Sequence, residues 1–278
     1  MRNTYLLIDC GGSGVKINVQ GNLCSFKPSS LEEFYKCIED MVSDNNSSTE
    51  AHIAGIAVSV CGEYDYINEE VTICPAYPFL VGRLKDNLIK RFKCSNVHIV
   101  NDGDAHVLAL KTIYAQEGKS CASAINLSLG TAVGFGILDW NGNLLHTCRG
   151  CNWELDNWKC DTTATHKELC WALGSNGLRM LEEEYGDNQA YIYFGQRLCH
   201  FLGRELANVF HPKTIGISGG IVASHSHEIE AGINRECELQ GYREPGGSLQ
   251  GVDIRLFTER HSVMKGLANL INIDILNI

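Results

Sequence analysis

Two carboxylates and a glycine-rich turn are the residues of this chain best placed to do chemistry. Residues 6–19, LLIDCGGSGVKINV, run from an apolar stretch into the single acid Asp9 and then into Gly11, Gly12, Ser13 and Gly14. Beyond the turn, Val15, Ile17 and Val19 alternate with Lys16, Asn18 and Gln20, the period-two pattern of a second strand. A P-loop needs Gly-Lys followed by Ser or Thr, and a dinucleotide fingerprint needs a third glycine where Ile17 stands, so neither fits. A hairpin turn of glycine and serine presents backbone N–H groups with no side chain in front of them, which suits a phosphate chain approaching closely. The same turn also fits an ordinary hairpin in which glycine only supplies positive φ. In the phosphate reading, Asp9 holds Mg2+ through water and Lys16 offsets negative charge. The second carboxylate, Asp102, follows the apolar run Val97–Val100 within Asn101-Asp102-Gly103-Asp104. Acids between a strand end and a helix start lie where open α/β sheets bind ligands, although Asp102 or Asp104 would also serve as a helix N-cap.

The elements that must position these residues alternate between strand and helix. After a third strand near Leu23–Phe26, Ser30 and Glu33 form a capping box ahead of Leu31, Phe34, Ile38 and Met41 at helical spacing. The run 52–60, HIAGIAVSV, reads as a buried strand followed by a polar turn, with a helix near Leu80–Phe92 and another over Ala105–Ala115. At Ala122 the pattern restarts: strand 122–130 meets Gly130-Thr131, and Val133–Leu138 continues as a strand into an Asn-Gly hairpin turn. A strand–turn–strand thus occurs twice, about 120 residues apart, a weak internal duplication. Two helices follow, over about Thr163–Tyr185 and Asn188–Phe210, the latter with Phe194, Leu198, Phe201, Leu202 and Val209 on one side. Strand Thr214–Ile217 then meets Ser218-Gly219-Gly220, and a strand at Ile254–Phe257 and a helix near Ser262–Leu270 close the chain.

Composition narrows the function classes. With 278 residues, 44% hydrophobic and 20% charged, the chain reads as a soluble globular protein of two domains or one large one. A net charge of −10 and the lack of a basic patch argue against nucleic acid and anionic membrane as partners. No apolar run approaches the ~20 residues that span a bilayer, and the N-terminus shows no signal-peptide pattern. Thirteen cysteines scattered through strands and helices fit reduced thiols in a cytoplasm.

The order of these segments resembles the actin-like sugar kinase superfamily and, within it, the ROK family of sugar kinases and sugar-sensing repressors. DCGGSGVK at 9–16 is similar to that family's first phosphate motif, most of all to its form in polyphosphate/ATP glucokinases. VNDGDAH at 100–106 resembles its catalytic motif, LSLGTAVGFGIL at 127–138 its second phosphate motif, and ISGGIVAS at 217–224 its nucleotide-base motif. The resemblance implies an α/β, two-lobed actin-like (ribonuclease H-like) fold with the active site in the interlobe cleft. The lobes would span 1–112 and 113–278, with the last helix, about 262–270, packing back on the first. The implied activity is transfer of the γ-phosphate of ATP, in the presence of Mg2+, to a hydroxyl of a hexose or hexose derivative. Asp102 would be the general base and Asp9 the Mg2+ residue, with Gly11, Gly12, Ser13, Lys16, Gly130 and Thr131 on the phosphates and Gly219 and Gly220 on the nucleoside. Polyphosphate is the rival donor, and a homodimer is implied. A non-catalytic sugar sensor is the other class; because the chain starts at the phosphate hairpin, with no winged helix, direct DNA binding is not expected.

The sugar half departs from the family pattern. Where the family has Glu-Leu-Gly-His, residues 154–157 read Glu-Leu-Asp-Asn, so Glu154 matches while Asn157 replaces a histidine. Asn157 still hydrogen-bonds a hydroxyl but lacks the histidine's charge and reach, which points away from glucose as the preferred sugar. Cys61-Gly62 stands where the family has Pro-Gly, and 74–80, CPAYPFL, lacks the expected sugar-binding asparagine. Asn101 is a sugar contact or a turn former, and Trp153 and Trp158 stack on a sugar ring or, the favoured reading, pack in the core. The family's zinc-binding cysteine cluster is missing. Cys148-x2-Cys151 with Cys160 and His146 or His166 is a poor zinc signal, and structural zinc is not expected.

Overall fold

The structure, a computed structural model, describes residues 3–45, 52–155, 169–259 and 261–273. In chain order its first elements are β1 (Asn3–Gly11), β2 (Gly14–Val19), β3 (Asn22–Phe26), α1 (Leu31–Asn45), β4 (His52–Val60), β5 (Glu63–Asp65) and β6 (Glu70–Ile73). They continue with α2 (Leu84–Phe92), β7 (Val97–Asn101), α3 (Asp102–Gln116), β8 (Ala124–Leu129), β9 (Val133–Leu138), α4 (Leu169–Ala172) and α5 (Ser175–Tyr185). The last are α6 (Asp187–Phe201), α7 (Ala207–Phe210), β10 (Thr214–Ser218), α8 (Gly220–Gln240), β11 (Asp253–Leu256) and α9 (Val263–Leu270). The chain divides into two compact units: Met1–Glu117 with His146–Asn152 and Val263–Ile278, and Gly118–Leu145 with Trp153–Ser262.

In the first unit the sheet order is β3-β2-β1-β4-β7, antiparallel through β1 and parallel beyond it. Side chains of β1 alternate between two cores, as a pleated strand requires. Leu6, Ile8 and Cys10 pack with Phe34 and Ile38 of α1 and Leu84 and Leu88 of α2, while Leu7 packs with Ala105 of α3 and Met264 and Leu267 of α9. Burying each such leucine or isoleucine is worth about 1.5–3 kcal/mol. The capping box holds with a shift of one residue: Glu33 N–H donates to Ser30 Oγ at 3.2 Å, and the Glu33 carboxylate accepts from Ser29 N–H at 2.7 Å. The polar turn after β4 is in fact the short hairpin β5–β6.

The second unit repeats the pattern in the order β9-β8-β10-β11, with β8–β9 antiparallel and β8, β10 and β11 parallel. Each sheet therefore begins with a hairpin whose first strand leads the parallel set. The helix expected over 188–210 passes through a π-helical stretch, Leu202–Leu206, before α7. That wider turn shifts the helical phase, so Val209, expected on the apolar side, is exposed, whereas Phe194, Leu198, Phe201 and Leu202 are buried. The expected helix over 163–185 breaks at Leu173-Gly174 between α4 and α5, and 163–168 lie outside the described residues. Among the described residues no helix is long and apolar enough to cross a membrane.

Helix α3, which begins at Asp102, is seated by α9. Gly266 lies against the backbone of Ala105, and a methyl group there would overlap the Ala105 carbonyl oxygen. Gly266→Val should therefore cost about 2–3 kcal/mol in urea unfolding by forcing α9 away from α3; a loss below about 0.5 kcal/mol would contradict this packing.

Candidate functional site

Strand register places Asp9 between two polar neighbours. It pairs with Lys16 across β1–β2 and with Ser59 across β1–β4. Lys16 Nζ lies 3.2 Å from Asp9 Oδ2, and Ser59 Oγ donates to Oδ1 at 2.9 Å. Nothing local predicted Ser59; its one signal is that it is the only hydroxyl in the apolar run 52–60. Each carboxylate oxygen keeps a second lone pair. An oxygen-only set around one carboxylate fits Mg2+, which retains most of its waters and is shared with phosphate oxygens. Among the described residues no group of three or more His, Cys, Asp or Glu is arranged to hold a metal ion.

Beyond Asp9 the hairpin closes at the Gly11–Gly14 pair, leaving Gly12 and Ser13 exposed at the tip. Tyr77 supports the loop from below by donating its hydroxyl to Gly11 O at 3.2 Å. The exposed tip fits an anion approaching the backbone.

In the same sheet β7 ends at Asn101, and α3 starts at Asp102 with no intervening loop. Asn101, not an aspartate, is the N-cap: its Oδ1 accepts from Gly103 N–H at 2.8 Å and its Nδ2 donates to Gly62 O at 2.6 Å. With 3% of its surface exposed, Asn101 is committed to holding the turn, which is its turn-former reading. Asp102 is half-buried; its Oδ1 accepts from Gly103 N–H at 2.9 Å, and Oδ2 carries no hydrogen bond to a described residue. Burial, and then the negative charges of Asp9 and Asp104, push its carboxyl up to about 7, against the opposing pull of the Gly103 N–H. His106, one helical turn after Asp102, is held down to about 4 chiefly by burial, with Asp9 and Lys16 as its charged neighbours. Its spacing of four from Asp102 was a readable signal for a residue on the same helix face.

His146, a candidate zinc ligand by sequence, instead stacks on Tyr66 with ring centroids 3.6 Å apart. Cys148 is exposed, while Cys160 and His166 lie outside the described residues.

In the second unit, Ser128 of β8 pairs with Ser218 of β10, so the turns that follow these strands are neighbours. Gly130 N–H donates to Ala132 O at 3.1 Å; in this conformation it closes the turn instead of facing outward, and Thr131 and Ala132 are exposed. Gly219 has φ +101°, and a side chain there would overlap the Leu129 backbone, so turn and packing both require glycine. Gly220, the first residue of the 21-residue α8, has nothing within 4 Å of where a Cβ would stand. Of the two, Gly220 is thus the one open to close approach, and it stands at a helix N-terminus, where N–H groups attract anions. Glu154 is exposed beside the buried Leu155; Asn157 and Trp158 lie outside the described residues. Trp153 packs, with its Nε1 donating to Leu145 O at 2.8 Å and its ring edge-on to Phe210.

This order of elements, a strand–turn–strand leading a parallel sheet in each of two units, is the actin-like α/β fold. Solved ROK-family structures share it over nearly the whole chain. A putative N-acetylmannosamine kinase from Listeria monocytogenes aligns with TM-score 0.74 and 21% identity, over 97% of this chain and 98% of that one. A ROK-family glucokinase from Streptomyces griseus, solved with glucose and AMPPNP, gives 0.69 and 18% over 96% and 98%. An inorganic polyphosphate/ATP-glucomannokinase from Arthrobacter sp. strain KM gives 0.66 and 17% over 98% and 99%. No protein-family model and no curated protein matches the sequence.

The raised Asp102 carboxyl has a consequence for stability. Its folded pKa lies above its ordinary value of 3.8, so the folded state binds the proton more tightly, and Asp102 costs stability as pH rises from about 4 to about 7. Asp102→Asn removes that cost. Urea unfolding should show its advantage over wild type growing through this window to about 1–2 kcal/mol and levelling off above it, whereas a pH-independent difference would contradict the account.

Proposed function

We propose that the chain is a ROK-family sugar kinase that transfers the γ-phosphoryl group of ATP to a hydroxyl of a hexose or hexose derivative. The observation that carries this reading is Asp102: a half-buried carboxylate at a strand end, pushed up to about 7, with one oxygen not hydrogen-bonded to any described residue and Asp9 nearby in the adjoining sheet. A base with its pKa near the operating pH is suited to take the hydroxyl proton as that oxygen attacks phosphorus. The sugar oxygen–phosphorus bond forms as the bond to the ADP oxygen breaks, and Asp102 then returns the proton to solvent. Mg2+, held through water by Asp9, would supply charge stabilisation for the phosphate oxygens. Lys16 and the amides of Gly12 and Ser13 are assigned to the phosphates, with Gly11 leaving room for them. In the second unit Thr131 is assigned to the phosphates and Gly220 to the nucleoside, while Gly130 and Gly219 shape the two turns. Glu154 and Asn157 are assigned to sugar hydroxyls, with Asn101 holding the turn between Gly62 and Asp102.

The substitution of Asp156-Asn157 for Gly-His favours a second reading, a non-catalytic sugar-binding sensor or regulator of the same fold. The two separate on turnover, since both bind sugar. Phosphoryl transfer should be measured from ATP, and in parallel from polyphosphate, across hexoses, N-acetylhexosamines and pentoses. The kinase reading predicts turnover on at least one sugar, reduced about 10²–10⁴-fold in Asp102→Asn with sugar binding kept. Binding without turnover would favour the sensor, and turnover surviving in the variant would remove Asp102 as the base.

A further inference from the structure

Three residues outside the assigned machinery converge on the peptide that carries Asp102. Tyr66, in the β5–β6 hairpin, accepts Asn101 N–H on its hydroxyl at 3.1 Å and donates the same hydroxyl to Asp104 Oδ2 at 2.5 Å. His146 lies flat on the Tyr66 ring, 12° from parallel, with Nε2 3.6 Å from Asp104 Oδ2. Tyr64 meets Tyr66 edge-on, with ring centroids 4.8 Å apart. Asn101 N–H and Gly103 N–H are thus gripped on either side of Asp102, the first by Tyr66 and the second by Asn101 Oδ1.

Stability alone does not explain the cluster. Asp104 is 0% exposed, and its Oδ1 has no hydrogen-bond partner among the described residues. An unsatisfied buried carboxylate oxygen is costly, and an apolar residue at this point of α3 would avoid the cost. The geometry is that of a brace on the strand-to-helix junction, where a misplacement of about 1 Å can cost ~10²-fold in rate. We propose that Tyr66, Asp104 and His146 are positioning residues that fix the junction bearing Asp102, and that phosphoryl transfer depends on this brace. The proposal rests on the reading of Asp102 as general base. Burial and the adjacent Asp104 push the Tyr66 phenol well up, so it remains protonated and donates to Asp104 throughout the neutral range.

The test compares Tyr66→Phe, Asp104→Asn and Asp104→Leu with wild type and Asp102→Asn, reading kcat and KM on the sugar that wild type phosphorylates, and amide hydrogen exchange at Asn101. Tyr66→Phe keeps the ring and loses both hydrogen bonds; kcat should fall about 10- to 100-fold with KM within about twofold, and the Asn101 amide should exchange at least about tenfold faster. Asp104→Asn keeps an acceptor and should retain most of the turnover that Asp104→Leu loses. This rescue also decides the matter if Tyr66→Phe does not fold. Folded Tyr66→Phe and Asp104→Leu with wild-type kcat, or Asp104→Asn as impaired as Asp104→Leu, would overturn the proposal. If Asp102→Asn keeps full turnover, the base reading fails separately, and unchanged exchange at Asn101 in Tyr66→Phe would overturn the brace as well.

Discussion

Two carboxylates, one on β1 and one just past the end of β7 in the same sheet, treated differently by their surroundings, are the constraint on which the site depends. Asp9 has a cation 3.2 Å away and a hydroxyl on its other oxygen. Asp102 is given a backbone N–H and no cation among the described residues, and it feels Asp9 as a like charge. Placing two acids in unlike environments is how one site keeps a charged group for metal and phosphate while tuning another for proton transfer.

The fold holds that difference in place through strand register. Asp9 is fixed between Lys16 and Ser59 because β2 and β4 flank β1, and Asp102 follows at the end of β7, next in the sheet after β4. Gly62, just past the end of β4, returns to hold Asn101 through its carbonyl. Helix α3 is pressed down by α9, a segment more than 140 residues later in sequence, so the position of Asp102 depends on packing across most of the chain.

The sequence made legible the parts whose signals are local. The hairpin at Asp9 reads from alternation and glycine, and the strand-to-helix junction at Asp102 from an apolar run ending in Asn-Asp. What it could not make legible is long-range. Tyr66 meets Asp104 across 38 positions and Ser59 meets Asp9 across 50, so no spacing rule links them. His146 lies near two cysteines in sequence, a poor zinc signal, and its ring stacks on Tyr66 far upstream, a contact that no spacing rule announces. The exposure of Val209 followed from a π-helical stretch that shifts helical phase without leaving a composition signature. Gly219 and Gly220 look alike in a motif, yet one is required by packing and the other stands in open space.

The most direct measurement is the titration of the Asp102 side chain itself, followed by the carbon-13 shift of its carboxyl carbon in selectively labelled protein. The account predicts a midpoint near 7, set by burial and the charge of Asp9, that moves toward lower pH in Asp9→Asn. A midpoint at the ordinary value of 3.8, or one that ignores the loss of Asp9, would contradict it.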